Sequence, residues 1–432
     1  MRQKRAGVQA LALFSCFRTS REKGKGPIMK KLNWKTSLFL LPLVIMLATF
    51  SFYPIISSFV YSFFDYQTND QSIANLYTTN HFNAKLFYED CDYLLFYIPD
   101  DAALVDEADR AQFENIMDSI RTNMAPYKDK DTVIRLNKAD IARLKTFVRT
   151  TQNDLNTIYQ NNTERQFYNK ENNQLLLNEM KQCFITPNNV GFKNYQALVH
   201  DPRFWTSIKN TLVFTIISVF FEFLIGMGLA LVMARAIKGI GSIRTAALIP
   251  WAIPTAVSAL IWSYLYDGSS GIIAHIFAQI GLIASPQSML LTAQGAMSAA
   301  ILADIWKTAP YMALLLLAGL EVIDRGLYES ASLDGCNKVQ TFFKITFPLL
   351  KPSILVALLL RTLDAFRVYD LLAILTGGGP GGATETVSIY SYKVLVGQSN
   401  YGYGSAIIIG MFICVALIAT IFVKILGTDI SN

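Results

Sequence analysis

The chain has 432 residues, 52% of them hydrophobic and only 16% charged, with a mean hydropathy of +0.32. Soluble domains carry roughly 25% charged residues, so long runs almost free of charge exclude an ordinary soluble domain and define a polytopic membrane protein. The net charge of +6 is uneven, with ten Lys or Arg against one acidic residue in the first 36 positions and 15 basic against 20 acidic residues in 65–203; this asymmetry reports membrane orientation and not a nucleic-acid surface.

Residues 1–28 join a basic start to a short apolar stretch, VQALALFSCF. It is too short for a ~30 Å bilayer core, which needs about 20 apolar residues, and no small-residue cleavage pattern follows it. Met29-Lys30-Lys31 stands directly before the first span, so 1–28 reads as an upstream extension, or else as a cytosolic tail. Residues 29–64 hold the cytosolic start and the first membrane helix, about 37–64. Lysines flank its near end and Tyr53, Tyr61, Phe63 and Phe64 its far end. The positive-inside rule puts the N-terminus in the cytosol and Asp65 outside. Pro42 and Pro54 are tolerable where neighbours satisfy the freed carbonyls.

Residues 65–190 form a polar insert large enough for a small folded domain, mixed α/β or all-α. LLFYIP at 94–99 reads as a buried strand, and 104–123 and 138–159 as amphipathic helices. Cys91 and Cys183 are disulfide partners if the insert faces an oxidising space; the competing reading is two free buried thiols. Five cysteines without C-x-x-C spacing, and three histidines, form no metal-ligand pattern.

The remainder, 191–432, predicts five further spans. They cover about 204–234 with Glu222, 245–265 with Pro250 and Pro254, 291–318 with Asp304, Trp306, Lys307 and Pro310, 353–375, and 403–426. Arg235, Lys238 and Arg244 mark one short loop as cytosolic, whereas 266–290 has no Lys or Arg. The fold class is thus all-α, with six transmembrane helices and both termini inside.

The loop 329–352, ESASLDGCNKVQTFFKITFPLLKP, falls in the cytosol. Small residues lead to Asp334-Gly335, and a Gly after a helical run supplies a left-handed stop. The spacing predicts two short helices joined at Gly335 and closed by Pro348 and Pro352. No GxxxxGK[ST] nucleotide loop is present, so no cofactor is expected. The Gly-rich run 377–382 is either a loop of close backbone approach or a plain connector. In the fifth span Arg361, Asp364, Arg367 and Asp370 recur every three residues. They form either a polar pathway for a hydroxyl-rich solute, with Tyr369, Phe366 and Trp306 as stacking surfaces, or an ion-pair ladder between helices. Glu222, Asp304 and Lys307 read as structural.

The segment Glu329-Ser330-Ala331, Asp334-Gly335, Phe342, Ile345, Phe347-Pro348 resembles the EAA signature of transmembrane subunits of bacterial ATP-binding-cassette importers. GFKNYQALVHDPRFWTSIKNT, IWKTAPYMALLLLAGL and AFRVYDLLAILTGGGPGGATETVSIY resemble the carbohydrate-uptake, maltose-type branch. Ser330, Cys336 and Phe347 depart from the usual residues. The resemblance covers about 190–426 and the first helix. It implies the type I importer permease fold and a bacterial inner-membrane location. It also implies a carbohydrate substrate (a sugar, an oligosaccharide or a glycerol phosphate), with ATP hydrolysed by a partner and not by this chain. The implied partners are a second homologous permease subunit in a heterodimer, an ATPase dimer and an extracytoplasmic solute-binding protein. Glu329, Ser330, Ala331, Asp334, Gly335, Phe342, Ile345 and Pro348 would then meet the ATPase, and the insert would engage the binding protein. The residues alone also admit an ion-coupled secondary transporter, with the 361–370 charges as a relay, or a membrane receptor.

Overall fold

The computed structural model describes residues 34–70, 73–130, 132–235 and 239–430, with side chains from 41 to 425; the extension at 1–28 lies outside them. The chain divides into two compact units, 1–56 and 57–432. Helix α1, 34–61, contains one turn of π-helix, Ala48–Phe52, with Pro54 two residues beyond it. Such a wide turn makes room for a proline, which has no N–H to give and crowds the carbonyl four residues back.

The insert is built on four helices, α2 (Ala84–Ala102), α3 (Glu107–Met124), α4 (Lys138–Asn161) and α5 (Lys170–Met180). A small antiparallel sheet, β1 (His81–Asn83), β2 (Val133–Arg135) and β3 (Phe184–Ile185), has the order β2-β1-β3. The strand expected at 94–99 is instead part of α2. Phe87, Cys91, Leu94 and Ile98 are buried at spacings of four, three and four, whereas Phe96 is 69% exposed. A strand would bury Leu94, Phe96 and Ile98 together. The two amphipathic helices expected at 104–123 and 138–159 correspond to α3 and α4.

The insert has its own apolar core, including Phe82, Phe87, Phe113, Leu144 and Tyr159. Its buried polar centre is Asp101. This carboxylate accepts from Tyr159 Oη at 2.8 Å, from the backbone N–H of Tyr168 and of Asn169 at 3.0 Å each, and from Asn173 Nδ2 at 3.3 Å. Cys91 and Cys183 share the core as free thiols, the second of the two readings the sequence left open. Cys183 Sγ lies 3.9 Å from Asp90 Oδ2 as a weak donor, and burial pushes both thiols up, so the protonated form is the favoured one. The insert leaves and rejoins the membrane core at one place. Asp65 N donates to Asn188 O at 2.8 Å and Val190 N to Phe63 O at 2.9 Å.

The core contributes α6 (Pro202–Met233), α7 (Ile240–Ala252), α8 (Thr255–Leu265), α9 (Ala293–Leu320), α10 (Arg325–Leu333), α11 (Lys338–Phe366), α12 (Asp370–Leu375), α13 (Val387–Tyr392) and α14 (Tyr401–Ile430). By length and composition five helices among the described residues can cross a membrane, and six if the bent pair α7–α8 counts as one span. The innermost is α9, 72% buried over its most apolar stretch. It approaches α6 where Gly226 leaves room for Met312; a Cβ there would lie 2.7 Å from Met312 Cγ.

Two spans differ from expectation. The third is bent by 86° at Ile253-Pro254. The residue before a proline is driven to extended backbone, and Ile253 has φ −70° and ψ 134°. The fifth begins at Lys338 and ends at Phe366, so Pro348 and Pro352 lie inside it and close nothing. A second π-turn, Phe342–Thr346, ends two residues before Pro348, as in α1.

Two measurements on the insert follow. Asp101→Ala removes the acceptor of four donors and is expected to lower stability by about 3 kcal/mol, against about 1 kcal/mol for Tyr159→Phe; hydrogen exchange of the insert amides reads both. Burial, with Glu179 and Glu89 nearby, raises the Asp90 carboxyl to about 7. A folded value above the unfolded one of about 4 means that the folded state holds the extra proton. Stability is therefore greatest at low pH and falls as pH rises from about 4 to about 7. Asp90→Asn should flatten that slope in pH-dependent unfolding of the insert.

Candidate functional site

The turn at Gly335 is built locally. Asp324 caps α10 by accepting from Gly326 N at 3.0 Å. The helix stops because Gly335 takes φ +77°, with Cys336 N donating back to Ala331 O at 2.9 Å. A Cβ on Gly335 would meet nothing within 4 Å, so the requirement is conformational and not steric crowding by neighbours. Asn337 then opens α11 with a capping box, accepting from Gln340 N at 2.8 Å while its own N–H donates to Gln340 Oε1 at 3.0 Å.

Of the residues expected here, Glu329, Ser330, Asp334, Gly335 and Pro348 are exposed, Phe342 and Ile345 are half-buried, and Ala331 is buried. Tyr328, Ser332, Cys336, Val339, Phe342 and Phe343 are among the residues lining a groove of about 660 Å³ beside the turn. Sequence reasoning missed Leu333, 89% exposed at the tip, and Val339 and Phe343 beside the groove. Their signal was an apolar residue directly before Asp-Gly, where a solvated turn would be polar.

The second constellation is a buried ion cluster joining α6, α9 and α11. Arg361, 2% exposed, donates from Nε to Glu222 Oε2 at 2.6 Å and from Nη2 to Glu222 Oε1 at 2.9 Å. Nη2 also reaches Asp304 Oδ2 at 2.5 Å and Thr308 Oγ1 at 3.2 Å, and Nη1 reaches Asp364 Oδ2 at 3.1 Å. Thr308 Oγ1 in turn donates to Glu222 Oε1 at 2.7 Å. The planar guanidinium satisfies two carboxylates in one plane, which a lysine ammonium cannot.

The expected i,i+3 pairing holds from 361 to 367, with Arg367 Nη2 3.7 Å from the same Asp364 carboxylate that Arg361 Nη1 reaches, but it does not extend to Asp370. Arg361 is committed to the cluster. Asp364 and Arg367, each about three-fifths exposed as side chains, face a cavity of about 490 Å³, and the helix has ended before Tyr369 and Asp370, which reach the same cavity from the turn into α12. Lys307 lines it too, and its Nζ donates to Ile253 O at 2.5 Å and Trp251 O at 3.4 Å. Those carbonyls are freed where Pro254 breaks the span, so this lysine satisfies the exposed helix end.

A third cluster went unseen in the sequence. Glu385, 4% exposed, takes a two-pronged bond from Arg203, Nε at 2.8 Å and Nη2 at 2.9 Å, and a third from Lys393 Nζ at 2.9 Å. Burial pushes the Glu385 carboxyl up, but the two cations outweigh it and hold it below the usual range. Asn210 Nδ2 donates to Gly382 O at 2.9 Å, and Asp201 Oδ2 accepts from Tyr390 Oη at 2.5 Å and Tyr403 Oη at 2.6 Å. The glycine run is held closely here. Gly378, at φ +86°, would place a Cβ 3.1 Å from Lys393 Nζ.

Several apolar spans, a capped helix–turn presented outside them and a charged cavity within them define a membrane-spanning transport subunit. Residues 211–432 match the binding-protein-dependent transport system inner membrane component, and the chain belongs to that family of ATP-binding-cassette importer permeases. It is 43% identical over 236 residues to the trehalose/maltose transport system permease protein MalF of Thermococcus litoralis, covering 55% of this chain and 79% of that one. It is 40% identical to the trehalose transport system permease protein SugA of Mycobacterium tuberculosis, over 59% and 81%. It is 38% identical to the sulfoquinovosyl glycerol transport system permease protein SmoG of Agrobacterium fabrum, over 55% and 77%. A solved bacterial ABC transporter involved in alginate import shares the fold, with a TM-score of 0.50 at 24% identity over 55% of this chain and 84% of that one. The ion-coupled reading has no support in these relationships.

The ion cluster makes a stability prediction. Arg361→Met leaves Glu222 and Asp304 buried and unpaired, which is expected to cost about 3–5 kcal/mol. Asp364→Asn, at an exposed position, should stay within about 1 kcal/mol. Thermal unfolding of the purified chain in detergent distinguishes the two.

Proposed function

We propose that this chain is one of two homologous permease subunits of a sugar importer, docked through 329–348 onto a cytosolic ATPase dimer. Both termini lie in the cytosol, and the insert 65–190 faces a solute-binding protein on the other side. The observation that carries the reading is the continuity of α11. It runs unbroken from Lys338, beside the Gly335 turn, to Arg361 in the ion cluster. At 1.5 Å per residue that is about 35 Å of rigid helix. A displacement imposed at the turn reaches the cavity as a rigid-body movement, the kind of coupling that switches access between two states. ATP hydrolysis belongs to the partner, and this chain converts the movement into a change of cavity shape.

The cavity favours a neutral solute. Lys307, Arg361 and Arg367 stand against Glu222, Asp304, Asp364 and Asp370, so no cation is in surplus for a phosphate or sulfonate. Carboxylates, Thr255 and Tyr369 supply hydrogen-bonding partners for hydroxyls, and Tyr369 an aromatic face. Among the named relatives this chemistry sides with trehalose and maltose and against sulfoquinovosyl glycerol.

Gly335→Val tests the coupling. A β-branched residue resists φ +77°, with a penalty of at least about 1–2 kcal/mol. In the assembled transporter, sugar-stimulated ATPase activity is expected to fall at least tenfold while membrane insertion is unchanged. Gly335→Asn, which tolerates the left-handed region, should retain most of the activity. Equal activity in both variants and in the parent would sink the docking role of this turn.

A further inference from the structure

The helices of the insert sort their surfaces unevenly. On α3 the charges sit at Glu107, Asp109, Arg110, Glu114, Asp118 and Arg121. A separate stripe of Gln112, Asn115, Ser119 and Asn123, three and four residues apart, carries no charge and lines a cleft. The facing stripe on α4 is Arg143, Thr146, Thr150, Asp154 and Thr157, while Lys145 and Arg149 point elsewhere. The cleft between them has a volume of about 520 Å³, within the ordinary range for a small-ligand site. Its floor holds the edges of Ile116, Phe147 and Thr151, all buried.

Three features distinguish this cleft from a merely solvated helix face. Threonine, asparagine and serine rank below Lys, Glu and Ala as helix formers, yet they fill both stripes in mid-helix. The single Arg and single Asp in the lining cancel. The polar groups also remain available. Thr146 and Thr157 donate back to Ala142 O at 2.9 Å and Asn153 O at 2.8 Å, which leaves their oxygen lone pairs facing out. Asn123 Nδ2 donates to Ser119 O at 2.9 Å, leaving its Oδ1 free to accept. Amides and hydroxyls, each able to donate or accept, over a small apolar floor, match the edges and faces of a sugar ring.

We propose that the α3–α4 cleft is a binding site for a neutral saccharide, distinct from the cavity at Asp364 and Asp370. The proposal rests on the sugar-importer reading and on the insert facing the compartment from which solute arrives. There it gives the insert a ligand of its own and raises the local concentration of solute near the mouth of the permease.

The test uses the full chain in nanodiscs with trehalose and maltotriose as probes, read by isothermal titration and by hydrogen exchange. Sugar is expected to protect the amides of 112–123 and 143–157. The Asn115→Ala/Thr150→Ala double variant, at exposed positions, should lose that protection and weaken binding at least tenfold while the unfolding transition of the insert is unchanged. Protection confined to 251–255 and 364–370, unchanged affinity in the double variant, or no protection by either sugar would overturn the cleft and leave the transport reading standing. Cleft protection without any sugar stimulation of ATPase in the assembled transporter would support the cleft and remove the transport reading.

Discussion

Arg361 is the constraint on which the membrane core depends. A guanidinium deep in an apolar bundle is tolerable only when its donors are taken, and Glu222, Asp304 and Thr308 take them within 3.2 Å. Because the partners sit on α6 and α9 and the arginine on α11, the pairing sets the mutual register of three helices at one depth. The small residues of α9 and the opening at Gly226 then allow the helices to approach closely enough for the pairing to form. One side of this cluster opens through Asp364 to the polar cavity, so the same group that ties the bundle also forms part of the cavity wall.

Around that fixed point, backbone irregularities are placed where the chain bends or ends. Pro254 breaks the third span, and Lys307 covers the carbonyls so exposed. Two π-turns stand just ahead of Pro54 and Pro348 and let helices continue through prolines that would otherwise interrupt them. Gly335 makes the reversal between α10 and α11, and α11 continues from there through Pro348 and Pro352 to the ion cluster. The Arg203–Glu385–Lys393 cluster gives the Gly-rich segment a comparable anchor.

The insert is held together differently. Its core is apolar and self-contained, and its polar centre is the hydrogen-bonded carboxylate of Asp101. The chain enters and leaves through neighbouring backbone bonds near Asp65 and Asn188, so the domain sits on the core as an insertion and leaves the span order intact.

Local properties of the chain determined a good deal. Hydropathy placed most of the spans, because a bilayer demands long uninterrupted apolar runs, but not the start of the fifth at Lys338 or the bend in the third. Asp334-Gly335 marked the reversal, because glycine takes φ +77° without the Cβ penalty other residues meet there. The motif around it pointed to the family, since small residues and a glycine turn stand there in the family's order. Periodicity failed where a run was ambiguous. LLFYIP is apolar throughout, and only the packing of α2 decided that Leu94 and Ile98 face inward and Phe96 outward. Tertiary structure alone decided the partners of the charges. Arg361 meets Glu222 from 139 residues away and Arg203 meets Glu385 from 182, pairings that no local spacing encodes. The regular 361–370 repeat pointed to one stripe, and Arg361, Asp364 and Arg367 do pair in series, but the helix ends at Phe366, so Asp370 reaches the same cavity from the next turn. Charge type and spacing are written along the chain, whereas which charge is desolvated, and by whom it is paired, is settled only when distant helices pack.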